Sequence, residues 1–149
     1  MFFEFRISLP REAVTVPTVR HLCRDTFERL GVADDCISDL EIALTEACSN
    51  VLKHAENTDS EYEVCLQVQD HRCTITVTDA GEATEEDWME EPPSPAALDA
   101  ESGRGLHMMR ALVDDLSFIS RPKVGTIVHL EKTLVFGEDS LLAVAAAKE

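Results

Sequence analysis

The sequence predicts an α+β fold, a two-layer sandwich whose mixed, mostly antiparallel sheet carries its helices on one face. Three observations predict it. Several short segments alternate apolar and polar residues with the period of a half-buried strand. Two longer stretches, between the first such segment and the second, repeat apolar residues at helical spacing. The resulting order is strand, helix, helix, strand, strand, long loop, helix, strand, strand, which does not alternate as a doubly wound parallel fold would.

Each element has its own signal. Phe3, Phe5 and Ile7 alternate with Glu4, Arg6 and Ser8 and make the opening strand. Thr15 reads as the N-cap of a first helix, with Pro17 tolerated in its first turn. Val19, Leu22, Cys23, Phe27 and Leu30 form its apolar stripe, and Gly31 ends it. Asp34 or Asp35 caps a second helix that runs to about His54 or Ala55. Asn57 to Ser60 form a polar loop. Tyr62, Val64, Leu66 and Val68, then Cys73, Ile75 and Val77, read as a hairpin around the Gln69–Arg72 turn. Residues 82–101 hold eight acidic residues, three prolines and no Lys or Arg, a composition that disfavours regular structure and suits a lid or binding loop. Ser102–Arg104 lead into a third helix with Leu106, Met109, Leu112 and Val113 on one side. Leu116–Ser120 and Gly125–Leu134 read as two strands around an RPKVG turn. Residues 1–134 therefore form one domain, and residues 135–149 an alanine-rich tail expected to be poorly ordered.

Composition narrows the function classes. The chain of 149 residues has a formal net charge of −16, which repels phosphate backbones. Direct nucleic-acid binding is therefore not expected, and a basic protein partner is the better match. No apolar run approaches the ~20 residues of a membrane-spanning helix, and the first residues do not read as a signal peptide. The five cysteines lack CxxC spacing. Cys36, Cys48, Cys65 and Cys73 fall inside predicted elements and read as small buried thiols in a reducing cytoplasm.

Four short stretches carry chemistry. In EIALTEACSNVLKHA, Glu46, Asn50 and His54 recur every four residues, interleaved with Ala43 and Ala47. Leu44, Cys48, Val51 and Leu52 are assigned to the core side and the polar stripe to the opposite side. An acid and an amide beside small neighbours can ligate a magnesium ion or orient a hydroxyl, although an exposed polar face accounts for the stripe alone. Asp79 continues the inward parity of Cys73, Ile75 and Val77, so its carboxylate needs a donor such as an exocyclic amine, with Gly81 leaving room for a flat ligand. A strand-end aspartate starting a turn is the ordinary alternative. Ser102-Gly103-Arg104-Gly105-Leu106 precedes a helix and can offer backbone N–H groups to an anion. Thr126, after Gly125, could present a hydroxyl at the start of the last strand.

Their order and spacing resemble the GHKL ATPases, the Bergerat fold shared by gyrase and histidine kinases. The sequence looks most like the small bacterial anti-sigma factors that are also serine-protein kinases, over residues 3–134. The resemblance implies Mg²⁺ and ATP as cofactors. Asn50 matches the amide that holds Mg²⁺, and Glu46 the acid that orients or deprotonates the attacking hydroxyl. Asp79 matches the carboxylate that reads the adenine amine, with Gly81 beside the base. Gly103, Arg104, Gly105 and Leu106 match the phosphate cradle, residues 82–101 the ATP lid, Thr126 the adenine-end threonine, and His54 a supporting histidine.

It further implies a cytoplasmic protein that sequesters an RNA polymerase sigma factor and phosphorylates a STAS-type anti-sigma factor antagonist. Arg20 is a residue for partner docking, and homodimers are common in the family. Ala83 stands where the family's DxGxG pattern has its second glycine. That departure, with the acidic lid, supports an alternative in which the protein binds ATP and its partner without kinase turnover. An isolated histidine-kinase catalytic domain fits less well. Asp79→Asn is expected to weaken ATP binding and leave the fold intact.

Overall fold

A strand with one greasy face must cover it, and the FFEFRISLP stretch does so as β1 (Phe2–Pro10), whose buried end is Leu9. The computed structural model describes residues 1–53, 61–79, 107–121 and 125–137. After β1 come α1 (Thr15–Leu30), α2 (Asp34–Lys53), β2 (Glu61–Gln69), β3 (Arg72–Thr78), β4 (Asp115–Arg121) and β5 (Gly125–Thr133). Residues 107–112 are helical as well.

The strands form one sheet in the order β1-β2-β3-β5-β4. Every pairing among the described strands is antiparallel. Tight hairpins explain this for β2–β3 and β4–β5, because a short turn can only reverse the chain. Between Gln69 and Arg72 the turn is Asp70-His71, and Asp70 takes a left-handed φ of 55°, which a short polar side chain tolerates. β5 folds back between β3 and β4, leaving β1 and β4 as edges. Register aligns Leu9 with Tyr62, Val64 with Val77, and Leu66 with Ile75, so one face of the sheet is apolar throughout. The other face carries Thr74, Thr76, His129 and Glu131.

The helices cover the apolar face. In α1, Val16, Val19, Cys23 and Phe27 are buried. Leu22 is 40% exposed because it lies about 100° around the helix from Cys23, beside the stripe instead of in it. The N-cap is Val14, one residue earlier than expected. Thr15 is already helical, and its hydroxyl donates to the Glu12 carbonyl oxygen at 2.6 Å. Its single proton thus used, it accepts from the buried Tyr62 hydroxyl, also at 2.6 Å. Gly31 ends the helix at φ 84°, with its N–H on the Glu28 oxygen and that of Val32 on the Phe27 oxygen.

The faces of α2 differ from expectation. Ala43, Ala47 and Asn50 are buried together with Leu44, Cys48 and Val51, while Leu52 is only half-buried. Four residues advance a helix by about 400°, so each step along the stripe turns it about 40°. Glu46 lies just outside the buried face and Asn50 just inside its border. The stripe drifts toward the core; it does not oppose it.

The chain is also held beyond residue 134, where the tail was expected to be loose. Leu134 is buried, Ala33 N–H donates to the Val135 oxygen at 2.7 Å, and Gly137 N–H to the Gly31 oxygen at 2.8 Å. The rest of the expected tail, 138–149, lies outside the described residues.

All five cysteines are free thiols, and Cys65 alone is not buried, since its parity points it to the open face. Burial pushes the thiols of Cys23 and Cys48 up to about 12. A thiol reagent at neutral pH is therefore expected to titrate one thiol in the native protein and five in denaturant. Rapid native labelling of two or more would show that the core opens. No helix among the described residues is long and apolar enough to cross a membrane.

Candidate functional site

Antiparallel register gathers particular strand ends at one end of the sheet: the C-terminus of β1, the start of β2, the end of β3 and the start of β5. Asp79 follows β3 there, and Thr126 opens β5. The direction of α2 decides what lies above them. At the opposite end of the sheet, Cys36 Sγ lies 3.9 Å from the Thr133 oxygen, and Lys132 Nζ lies 3.6 Å from Asp39. From Cys36 to Asn50 the helix rises about 21 Å, and from Thr133 back to Thr126 the strand spans about 23 Å. α2 packs on β5 and β3. Its C-terminal half therefore brings Asn50 over the same sheet end as Asp79 and Thr126.

Asp79 is held firmly. Its backbone N–H donates to the Thr126 oxygen at 3.1 Å, and its Oδ1 accepts the Thr126 N–H at 2.5 Å. Its Oδ2 accepts from the Arg11 guanidinium. Both charged side chains are only 3% exposed. Burial pushes the Asp79 carboxyl above its ordinary value, opposed by the Thr126 N–H and by Arg11. The inward carboxylate expected from strand parity is thus present, and it already has a cation on it.

Sequence reasoning missed Arg11. The signal was available: Arg11 continues the parity of Phe3, Phe5, Ile7 and Leu9 past the end of β1, as Asp79 continues that of β3. An arginine carried inward at one strand end needs a carboxylate, and Asp79 is the inward carboxylate beside it.

Asn50 is 2% exposed, and its Nδ2 is buried with no hydrogen-bond partner among the described residues. A buried amide left short of partners is costly to fold around, so a ligand that completes its bonding is a natural reason for its presence. Glu46, a turn earlier, is half-buried. With Arg20, His21, Arg24, Glu41, Ile42 and Thr45 it lines a groove of about 520 Å³ between α1 and α2. The structure thus brings Glu46 and Arg20 to one groove, next to the border residue Asn50. Arg24 bridges the two helices there, donating to Glu41 at 2.9 Å.

Thr126 is fully buried, with its backbone on Asp79. His54, Gly81, Gly103, Arg104, Gly105, Leu106, Ala83 and the segment 82–101 lie outside the described residues. Among the described residues, no group of three or more His, Cys, Asp or Glu is placed to hold a metal ion.

Comparison with known proteins bears on this arrangement. A family described as the histidine kinase-like ATPase domain matches residues 9–132. Serine-protein kinase RsbW of Bacillus velezensis is 32% identical over 136 residues, covering 86% of this chain and 84% of that protein. Serine-protein kinase RsbW of Bacillus thuringiensis is 27% identical over 125 residues, covering 79% and 78%. Among solved structures, the RsbU and RsbW domains of a Mycobacterium tuberculosis protein match with a TM-score of 0.67 at 22% identity. That match covers 89% of this chain and 32% of the longer one. The SiaB–SiaC complex of Pseudomonas aeruginosa matches with a TM-score of 0.54 at 14% identity, covering 88% of each chain. Both structures share the fold described above.

Proposed function

The chain belongs to the histidine kinase-like ATPase domain family and is homologous to the serine-protein kinases RsbW, and from that premise we propose that it is an ATP-dependent serine/threonine-protein kinase and anti-sigma factor. The family assignment agrees with the motif order read from the sequence. One observation carries the functional reading beyond family membership. It is the buried amide of Asn50, its nitrogen unpartnered among the described residues, set over the same sheet end as the fixed carboxylate of Asp79.

These residues fit Mg²⁺ and ATP. Magnesium takes few protein ligands and completes its shell with phosphate oxygens and water, so one amide oxygen, that of Asn50, suffices from the protein. When bound, the ion neutralises charge on the phosphoryl group being transferred. The chain's own residues do the rest. Asp79 accepts from the adenine amine, with Thr126 bracing the carboxylate and Gly81 leaving space beside the base. Gly103, Arg104, Gly105 and Leu106 cradle the phosphates, His54 supports the helix end, and residues 82–101 close as a lid on the domain formed by residues 1–134.

Glu46 stands between the nucleotide side and the outer groove. A serine hydroxyl delivered along that groove by a partner meets Glu46, which orients it and takes its proton. Arg20 supplies docking charge on the groove wall. The partners in this reading are a STAS-type anti-sigma factor antagonist, which is phosphorylated, and a sigma factor, which is sequestered in the cytoplasm. The formal charge of −16 suits a basic partner surface.

A second reading keeps nucleotide and partner binding without turnover, and Ala83 in place of a glycine favours it. Radiolabelled ATP offered with candidate antagonists separates the two. Glu46→Gln is expected to lower label transfer by about a hundredfold or more with ATP affinity unchanged. Binding of partners without any label transfer by the parent protein supports the second reading.

A further inference from the structure

Among the described residues, each oxygen of the Asp79 carboxylate at the proposed base site has a partner. Thr126 N–H fills Oδ1 of Asp79, and Arg11 fills Oδ2. The Thr126 N–H on Oδ1 orients the carboxylate, and the Asp79 N–H on the Thr126 oxygen holds the backbone beneath it. We infer that Arg11 is a base-site residue that competes with the nucleotide's exocyclic amine for Asp79, so that nucleotide affinity is set by breaking this ion pair. The inference rests on the proposed reading of Asp79 as the carboxylate that recognises the base.

The two donors differ in strength. A guanidinium N–H to a buried carboxylate is a charge-assisted bond, and a neutral amine N–H is the weaker donor. With both charged side chains 3% exposed, water does little to weaken the pair. An incoming purine amine that takes the Oδ2 edge competes with Arg11 for it and draws on the binding energy of its other contacts. Arg11 lies on the short link between β1 and α1, outside the strand ladder. Thr126 is different, since it belongs to β5 and stays in place as the wall behind the carboxylate.

Competition at the base end has a distinct signature. It should affect ATP and ADP alike, since both present the same amine. A guanidinium that instead contacted phosphate would favour ATP over ADP.

Calorimetry on the full chain tests this with Mg·ATP and Mg·ADP. Arg11→Gln removes the charged competitor and is expected to tighten both nucleotides by about tenfold. Arg11→Lys keeps a cation beside Asp79 and should stay near the parent. The unliganded Arg11→Gln protein should also melt at a lower temperature, an effect opposite in sign to its gain in affinity. Unchanged or weaker binding by Arg11→Gln overturns the inference, as does a loss confined to ATP.

Asp79→Asn in the Arg11→Gln background separates this from the site reading. If the added change leaves affinity where Arg11→Gln put it, Asp79 does not read the base and the site reading fails. If the added change lowers affinity while Arg11→Gln alone brings no gain, the site stands and only the competition is overturned. Nitrogen-detected resonances of the Arg11 side chain in the parent protein serve where a variant does not fold. They should shift on saturation with Mg·ADP, and unmoved resonances overturn the inference.

Discussion

Asn50→Ala is expected to abolish magnesium-dependent phosphoryl transfer, by at least about a hundredfold, while leaving the folded protein as stable as before. The two halves of that expectation come from the same observation. The Asn50 amide is 2% exposed, and its nitrogen has no hydrogen-bond partner among the described residues. Alanine removes a buried nitrogen that no described residue satisfies, which stabilises, and leaves a small space, which destabilises. The two nearly cancel, so denaturant unfolding should move by no more than about 1 kcal/mol. Label transfer and Mg²⁺-dependent ATP affinity should collapse together. A buried polar side chain that contributes little to stability is what a ligand site leaves in a core. A large loss of stability would instead mark Asn50 as a structural amide.

Asp79→Asn is expected to act on both stability and binding, which alters the expectation that the fold would be indifferent to it. The carboxylate holds the Thr126 N–H and the buried guanidinium of Arg11. Asparagine can keep the first contact through its oxygen but turns an N–H₂ toward the second, setting donor against donor. Breaking one side of a buried pair is severe, so a loss of about 3 kcal/mol in unfolding free energy is expected. Weakened ATP binding is expected as well, from the missing acceptor. Unfolding unchanged within about 0.5 kcal/mol would show that Arg11 does not depend on this carboxylate.

Much of the fold was legible because strand parity and helical period are local properties. The inward series Tyr62 to Val68 and Cys73 to Val77, the Asp70-His71 turn and the Gly31 stop all follow from residues a few positions apart. The inward direction of Asp79 was legible by the same rule. What could not be read was pairing across distance. Arg11 and Asp79 are 68 residues apart, and nothing local to either names the other. The contact of Val135–Gly137 with the α1–α2 corner is likewise a tertiary pairing, invisible in an alanine-rich tail. The polar stripe of α2 was misplaced for a geometric reason: residues four apart were treated as aligned, though each step drifts about 40°. That drift is why Asn50 is buried and Glu46 is not.

The end of the sheet away from Asp79 has a mechanical meaning. There the Met1 ammonium meets Asp70 at 2.8 Å, and Leu134 N–H binds the His71 oxygen at 2.6 Å. The rings of His71 and Phe136 lie 5.5 Å apart, and Val32 bridges to Phe136. Four distant parts of the chain are clamped in one place, largely through backbone. That knot joins both chain ends of the described domain to the β2–β3 turn and the α1–α2 corner, and amide protons should exchange slowly around Val32 and Leu134.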